Sequence, residues 1–354
     1  MAEKKEIAPP ALPAQLPGLL LDWFAVNARS LPWRRDREPY HVWLSEIMLQ
    51  QTRVQAVLGY YARFLQALPD IPALAACPED RLLKLWEGLG YYSRVRNLKK
   101  AAQVVMNRYG GVFPGEYAQV LALPGIGEYT AGAICSICFD QKTPAVDGNV
   151  LRVVSRITND PTPIDLPAYK KQVNAVLKEV YPAQAGDFTQ GLMELGATIC
   201  GPNRKPDCEI CPCKDFCLAL KNGTAEALPV KLPKKERKEE KMTLFICSCQ
   251  GKYAVEKRKN TGLLASLWQF PNSKGHLDAQ QAVDAAKEMG LQPQEIFFSL
   301  EKEHIFTHVR WDMRGYYMEV ANQAEAWKWY TADEIEDNIP LPTAFRQFWE
   351  ARPE

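Results

Sequence analysis

The stretch Leu123-Pro124-Gly125-Ile126-Gly127-Glu128-Tyr129-Thr130-Ala131-Gly132-Ala133 holds two glycines in a short turn, followed by small residues at helical spacing. Two glycines let the backbone come close to a bound group. A helix that starts just after them offers unpaired N–H groups that suit an anion. With Leu-Pro ahead of the turn, the pattern reads as a helix-hairpin-helix signature, a device that grips a phosphate backbone without reading base sequence.

Outward from this turn, residues 17–225 read as mostly helical. His41–Ala56 and Ala131–Phe139 carry apolar residues at helical spacing, and Leu31-Pro32, Phe113-Pro114-Gly115 and Pro124-Gly125 break the pattern. Two prolines and dense charge mark 228–241 as a linker. Beyond it, 242–249, 252–257, 304–310 and 313–320 are predicted strands, and 279–289 a short helix. The fold class expected is multi-domain: a mostly α N-terminal part and an α+β C-terminal part.

Two acids stand in unlike settings. Glu46 sits in Trp43-Leu44-Ser45-Glu46-Ile47-Met48-Leu49, among apolar neighbours that raise a carboxyl pKa and keep a proton available. Asp147 lies past the hairpin in Val146-Asp147-Gly148-Asn149, where backbone donors are expected to keep it ionised. One protonated acid and one lasting carboxylate are what cleavage of a glycosidic bond uses. The other chemical signal is Cys200-x7-Cys208-x2-Cys211-x5-Cys217, with Cys213 inside it and none of the four histidines nearby. Four thiolates at these spacings hold either zinc or an iron–sulfur cluster.

The 354 residues suit two or three domains, and 47% hydrophobic content suffices for buried cores. Net charge is +1, with 25 Lys/Arg and 23 Asp/Glu up to residue 228. A polyanion partner must therefore be met by local clusters, such as Leu89 to Lys100 with its four cations. No apolar run is long enough for a membrane span and no secretory signal is read, so a cytoplasmic or nucleoid location is expected.

In order, the Glu46 helix, the hairpin, Val-Asp-Gly-Asn and the four cysteines resemble the endonuclease III superfamily of base-excision glycosylases. Leu31-Pro32-Trp33-Arg34, Pro39 to Thr52, Gly88-Leu89-Gly90-Tyr91-Tyr92-Ser93-Arg94 and Met193-Glu194-Leu195-Gly196-Ala197 are similar to the adenine DNA glycosylases of the MutY type. That resemblance implies a helical glycosylase region at 1–227, with a six-helix lobe at about 32–140 and an iron–sulfur lobe from 8–31 and 141–227. A linker at 228–241 and a Nudix-like reader of 8-oxoguanine at 242–354 follow. It implies one 4Fe-4S cluster on Cys200, Cys208, Cys211 and Cys217, and no catalytic metal. The family usually has six residues between its first two ligand cysteines, where this chain has seven.

The implied reaction is removal of adenine mispaired with 8-oxoguanine or guanine in duplex DNA, by a monomer that needs no membrane. Glu46 protonates the base at N7, Asp147 stabilises the sugar cation or captures it covalently, and Tyr129 and Asn149 assist. Bifunctional relatives carry a lysine at position 129, and a tyrosine cannot form their imine, so strand cleavage is not expected. Trp33, Arg34, Leu49 and Gln190 line the base pocket in this reading. Gln51 and Tyr91 fill and wedge the duplex beside Thr52, Leu89 and Gly90, while Gly125 and Gly127 meet phosphate. Phe306-Thr307-His308 stands where the family has a Phe-Ser-His loop that meets 8-oxoguanine. The two acids Asp284 and Glu288 are too few for a working Nudix magnesium site.

Overall fold

The computed structural model describes residues 11–202, 205–233 and 236–353. Residues 8–10 of the expected iron–sulfur lobe, and Arg204 in the loop between the first two cysteines, lie outside the described residues. The chain divides into two compact units. One comprises Met1–Ala75 with Asn97–Pro233, the other Ala76–Arg96 with Lys234–Glu354.

Helices run in chain order as α1 (Leu16–Asn27), α2 (Pro39–Leu49), α3 (Val54–Ala67), α4 (Ile71–Ala76), α5 (Glu79–Leu85), α6 (Ser93–Tyr109), α7 (Tyr117–Leu121), α8 (Glu128–Phe139), α9 (Gly148–Thr158), α10 (Pro167–Val180), α11 (Ala185–Thr198) and α12 (Leu218–Lys221). Of these, α5 belongs to the second unit. The stretch 41–56 is two helices, not one: α2 ends at Leu49, Gln51 takes a left-handed backbone, and α3 starts at Val54. In the first unit α9 has its apolar residues on one side. Val150, Val153, Val154 and Ile157 bury with Leu16 and Leu20 of α1, Val173 and Leu177 of α10, and Phe188, Leu192 and Leu195 of α11. The N-terminal helix thus shares a core with residues 146–213, although the chain between them builds other helices.

The second unit is a seven-stranded sheet between helices. Its strands are β1 (Lys238–Cys249), β2 (Lys252–Lys257), β3 (Trp268–Gln269), β4 (Asn272–Lys274), β5 (Pro293–Ile305), β6 (Val309–Val320) and β7 (Lys328–Thr331). The order is β3-β2-β1-β6-β5, with β4 on β1 and β7 on β2; β1 and β6 are parallel and the other pairs antiparallel. Alternation along β1 sends Leu244 and Ile246 to one face, and Phe245, Cys247 and Cys249 to the other. On the first face lie α14 (Ala332–Asn338) and α15 (Thr343–Trp349), through Ile335, Phe345 and Phe348; on the second lies α13 (Ala279–Glu288), through Ala282 and Ala286.

Three sequence expectations change. β1 begins at Lys238, inside the stretch 228–241 expected as linker, because β6 supplies a hydrogen-bonding neighbour for its charged, exposed start. The strand expected at 304–310 is instead the end of β5, a turn at 306–308 and the start of β6; β5 lacks alternating burial, so periodicity did not reveal it. Residues 76–96, expected within the glycosylase region, fall by their contacts into the compact unit that holds 234–354; Leu82, Leu83 and Trp86 of this segment are buried.

Candidate active site

Helix α2 opens with Pro39, which loses nothing in a first turn where its N–H has no partner. Tyr40 and Val42 to Met48 are all buried, so Glu46 is carried into the interior at 6% exposure. Tyr129, on the second residue of α8, donates its hydroxyl to Glu46 Oε2 at 2.5 Å. Burial lifts the Glu46 pKa from 4.5 to about 7; the Tyr129 bond opposes this, the Asp147 charge adds to it, and the Arg34 charge opposes it. Burial also raises the Tyr129 phenol well above its ordinary value, so it remains a donor.

Asp147 caps α9. Its Oδ1 accepts the Val150 N–H at 2.8 Å and its Oδ2 accepts Asn149 Nδ2 at 2.7 Å. Two missing side chains allow this approach. A Cβ on Gly132 of α8 would lie 2.3 Å from the Pro144 oxygen, and one on Gly196 of α11 would lie 2.6 Å from Asn149 Cβ. Burial pushes the Asp147 pKa up as well; Val150, Asn149 and Arg152 hold it back. The backbone donor expected for Asp147 is present at Val150, and this half-buried carboxyl also draws on Asn149, Arg152 and the start of α9 for its charge. Arg152 fixes the group from behind. Its Nη2 donates to Asn149 Oδ1 at 2.8 Å and to the Gly196 carbonyl at 2.7 Å, and its Nε to the Cys200 carbonyl at 2.7 Å. Sequence reading missed Arg152; its place one helical turn beyond Asn149 is the signal that would have found it.

Glu46, Tyr129, Asp147 and Asn149 thus form one cluster, in which a carboxyl with a pKa near 7 stands with a second carboxylate rich in donors. The other expected residues are placed as follows. Trp33 is buried with its ring edge-on to Tyr61. Arg34 Nη2 donates to Glu194 Oε2 at 2.8 Å, and Glu194 also binds Arg29 Nε at 2.6 Å. Leu49, Thr52 and Gln190 are half-buried, and Gln51 is exposed with φ 58°. Gly125 has φ 75°, and no atom stands within 4 Å of a Cβ built on Gly127, which leaves its backbone open to a ligand.

Cys200, Cys208, Cys211 and Cys217 line one cavity with Arg156, Ile199, Pro206 and Leu220. Cys213 does not line it and is 2% exposed in the core beneath. Arg156 Nη1 donates to Cys200 Sγ at 3.1 Å. Among the described residues, no three His, Cys, Asp or Glu side chains are set to hold a single metal ion. Four sulfurs on the wall of an apolar cavity, with a guanidinium against one of them, fit an anionic thiolate-bound cluster.

In the second unit, Leu89 is buried and Gly90 and Tyr91 have φ 69° and 46°. A left-handed backbone is uncommon for a bulky residue such as tyrosine. Tyr91 and Phe306, Thr307 and His308 line one cavity of about 370 Å³, with Tyr91 Oη and Thr307 Oγ1 2.8 Å apart.

Residues 44–182 match the HhH-GPD superfamily of base excision DNA repair proteins, and 242–351 match the NUDIX domain. The adenine DNA glycosylase of Rattus norvegicus is 33% identical over 93% of this chain and 76% of its own length. The chain belongs to the adenine DNA glycosylase family. The family's Arabidopsis thaliana protein is 36% identical over 82% of this chain, which spans only 55% of that protein. Among solved structures, a thermostable thymine-DNA glycosylase has a TM-score of 0.53 at 30% identity, covering 58% of this chain and 95% of that one. A trapped endonuclease III–DNA covalent intermediate has a TM-score of 0.50 at 21% identity, covering 60% and 99%, and bears on the fold alone. Membership of the family carries with it a base-excision DNA glycosylase with a NUDIX domain. No helix among the described residues is long and apolar enough to cross a membrane.

Proposed function

We propose that this chain hydrolyses the N-glycosidic bond of adenine mispaired with 8-oxoguanine or guanine in duplex DNA, leaving an abasic site and an uncut strand. The observation that carries the reading is the cluster of a buried Glu46 with half-buried Tyr129 and Asp147. Glu46 is half-protonated near neutrality and gives its proton to N7 of the flipped adenine, so the base leaves neutral. Asp147 stands against the oxocarbenium-like sugar, and Asn149 and Arg152 keep it aimed. Water completes the reaction. Tyr129 occupies the place where a lysine would form an imine, and its phenol holds the Glu46 carboxyl in position.

Support for 8-oxoguanine as the opposite base is the shared cavity of Tyr91 with Phe306, Thr307 and His308. Threonine keeps a hydroxyl there for a polar edge, and Tyr91 is placed to wedge the duplex. Cys200, Cys208, Cys211 and Cys217 hold a 4Fe-4S cluster in this reading. Its contribution is to fix the loop that follows α11, and the hydrolysis is carried by the acids. The protein acts as a monomer on nucleoid DNA. Incubation with duplexes bearing A:8-oxoG, A:G, T:G and oxidised pyrimidines, with and without alkali, tests the proposal. Alkali-dependent cleavage at adenine in the first two is expected. Release of thymine, or cleavage without alkali, would overturn it.

A further inference from the structure

In sequence, Ala76–Arg96 lies within the stretch 44–182 matched by the repair superfamily, yet it packs with residues 234–354. What fastens it is a set of directional bonds on either side of its turn at 88–91. On one side, Lys84 Nζ donates to the carbonyls of Ile335 and Ile339 at 3.2 Å each, where α14 finishes, and pairs with Glu87 Oε2 at 2.7 Å. Glu87 Oε1 accepts the Leu341 N–H at 3.1 Å and faces Arg346 Nη1 of α15 at 3.4 Å. The Lys84 and Glu87 side chains are only 19% and 14% exposed. On the other side, Arg96 Nη2 donates to the Ala265 carbonyl at 2.5 Å and its Nε to Glu79 Oε1 at 2.9 Å. Between them runs the turn of Gly88, Gly90 and Tyr91, with φ 94°, 69° and 46°, whose Tyr91 hydroxyl meets Thr307.

A cation on the last carbonyls of a helix is favourably placed. For adhesion alone, however, apolar side chains would serve as well as partly buried charges, which forfeit hydration to pair. What charged bonds add is a fixed direction. Neither Lys84 nor Glu87 lines the cavity of Tyr91 and Thr307. We propose that Lys84 and Glu87 are specificity-positioning residues: by anchoring 76–96 on the end of α14 and on Leu341 they set the Gly88–Tyr91 turn against the Phe306–His308 loop, and so set how strongly base removal depends on the base opposite adenine. The proposal rests on the reading of that loop given under Proposed function.

The test uses the full chain with Lys84→Met, Glu87→Gln and Lys84→Arg, and Lys257→Met as a control. Lys257 also holds this segment, through Asp80 at 2.6 Å, but as an exposed pair at 40% and 49%, worth little. Single-turnover rates are measured on A:8-oxoG and A:G duplexes, with amide exchange of residues 88–93. In Lys84→Met the A:8-oxoG rate should fall about tenfold, within the range usual for coupled sites, while A:G stays within about twofold and exchange at 88–93 quickens. Glu87→Gln keeps the shape and should move the same way, and it decides the matter if Lys84→Met does not fold. Lys84→Arg should restore most of the preference, and Lys257→Met should leave it intact. Equal loss on both duplexes, or a preference unchanged in both Lys84→Met and Glu87→Gln, overturns the proposal. A wild-type chain with no preference for A:8-oxoG removes the reading beneath it, a result distinct from a preference that survives the substitutions.

Discussion

Replacing Glu46 by glutamine should cripple the enzyme and steady the fold, and the steadying should depend on pH. Glu46 titrates near 4.5 when exposed and at about 7 in the folded chain, chiefly because it is buried. The folded pKa is the higher one, so the folded state holds this proton more tightly. Below pH 4.5 both states are protonated and nothing is lost. As pH rises towards 7 the unfolded chain releases its proton first, and stability drains away until the full penalty is reached above about 7. At about 1.36 kcal/mol per pH unit the penalty is about 3 kcal/mol. Glutamine has the shape of the neutral acid and escapes it; the bond from Tyr129 is already counted in the folded pKa. The Gln variant should therefore exceed the native chain by about 3 kcal/mol at pH 8, a rise of several degrees in Tm, and by well under about 1 kcal/mol at pH 4.5. Base release under single-turnover conditions should fall by about 10²–10⁴-fold, the worth of a general acid. Melting curves at the two pH values and excision rates on an A:8-oxoG duplex make the measurement. A stability difference that is the same at both pH values would refute the burial argument, and near-native excision would remove Glu46 from the chemistry.

Tyr129→Phe deletes the hydroxyl that favours ionised Glu46. The alkaline decline of base release should move up from about pH 7 by about one unit, the worth of one hydrogen bond to a charge; a move to lower pH would contradict the donor role. Cys208→Ser should lower the iron content of the purified protein, whereas Cys213→Ser, changed beneath the cavity and not on its wall, should keep it. Iron lost in Cys213→Ser and retained in Cys208→Ser would mean that the four ligands are wrongly assigned.

The acids were legible because their signals are local. Apolar residues around Glu46 foretell a buried helix, and Asp147 stands in a turn where a cap belongs. The gathering of four cysteines on one cavity was legible from their spacing. Arg152 and Glu194 were not, because an arginine or a glutamate on a helix looks the same whether solvated or held; only Asn149, Gly196 and Cys200 gathering round the one, and Arg29 and Arg34 round the other, distinguish them. Charge density made 228–241 read as linker although Lys238 to Lys241 pair with β6. β5 was hidden because an edge strand with exposed residues on both sides lacks the alternation that betrays strands. The membership of 76–96 rests on contacts with partners far along the chain, and no window of sequence reports it.

The divided second unit also has a consequence in time. A ribosome delivers residues 76–96, with Leu82, Leu83 and Trp86 that end fully buried, well before any of 234–354 exists. At the usual 5–20 residues per second, synthesis of residues 97–233 takes on the order of ten seconds. Throughout that interval the bonds of Lys84 to Ile335 and Ile339, of Glu87 to Leu341 and of Arg96 to Ala265 have no partner to form with. The segment therefore waits many seconds with these side chains unanchored, and the setting of its turn at 88–91 is a late event in the making of the protein.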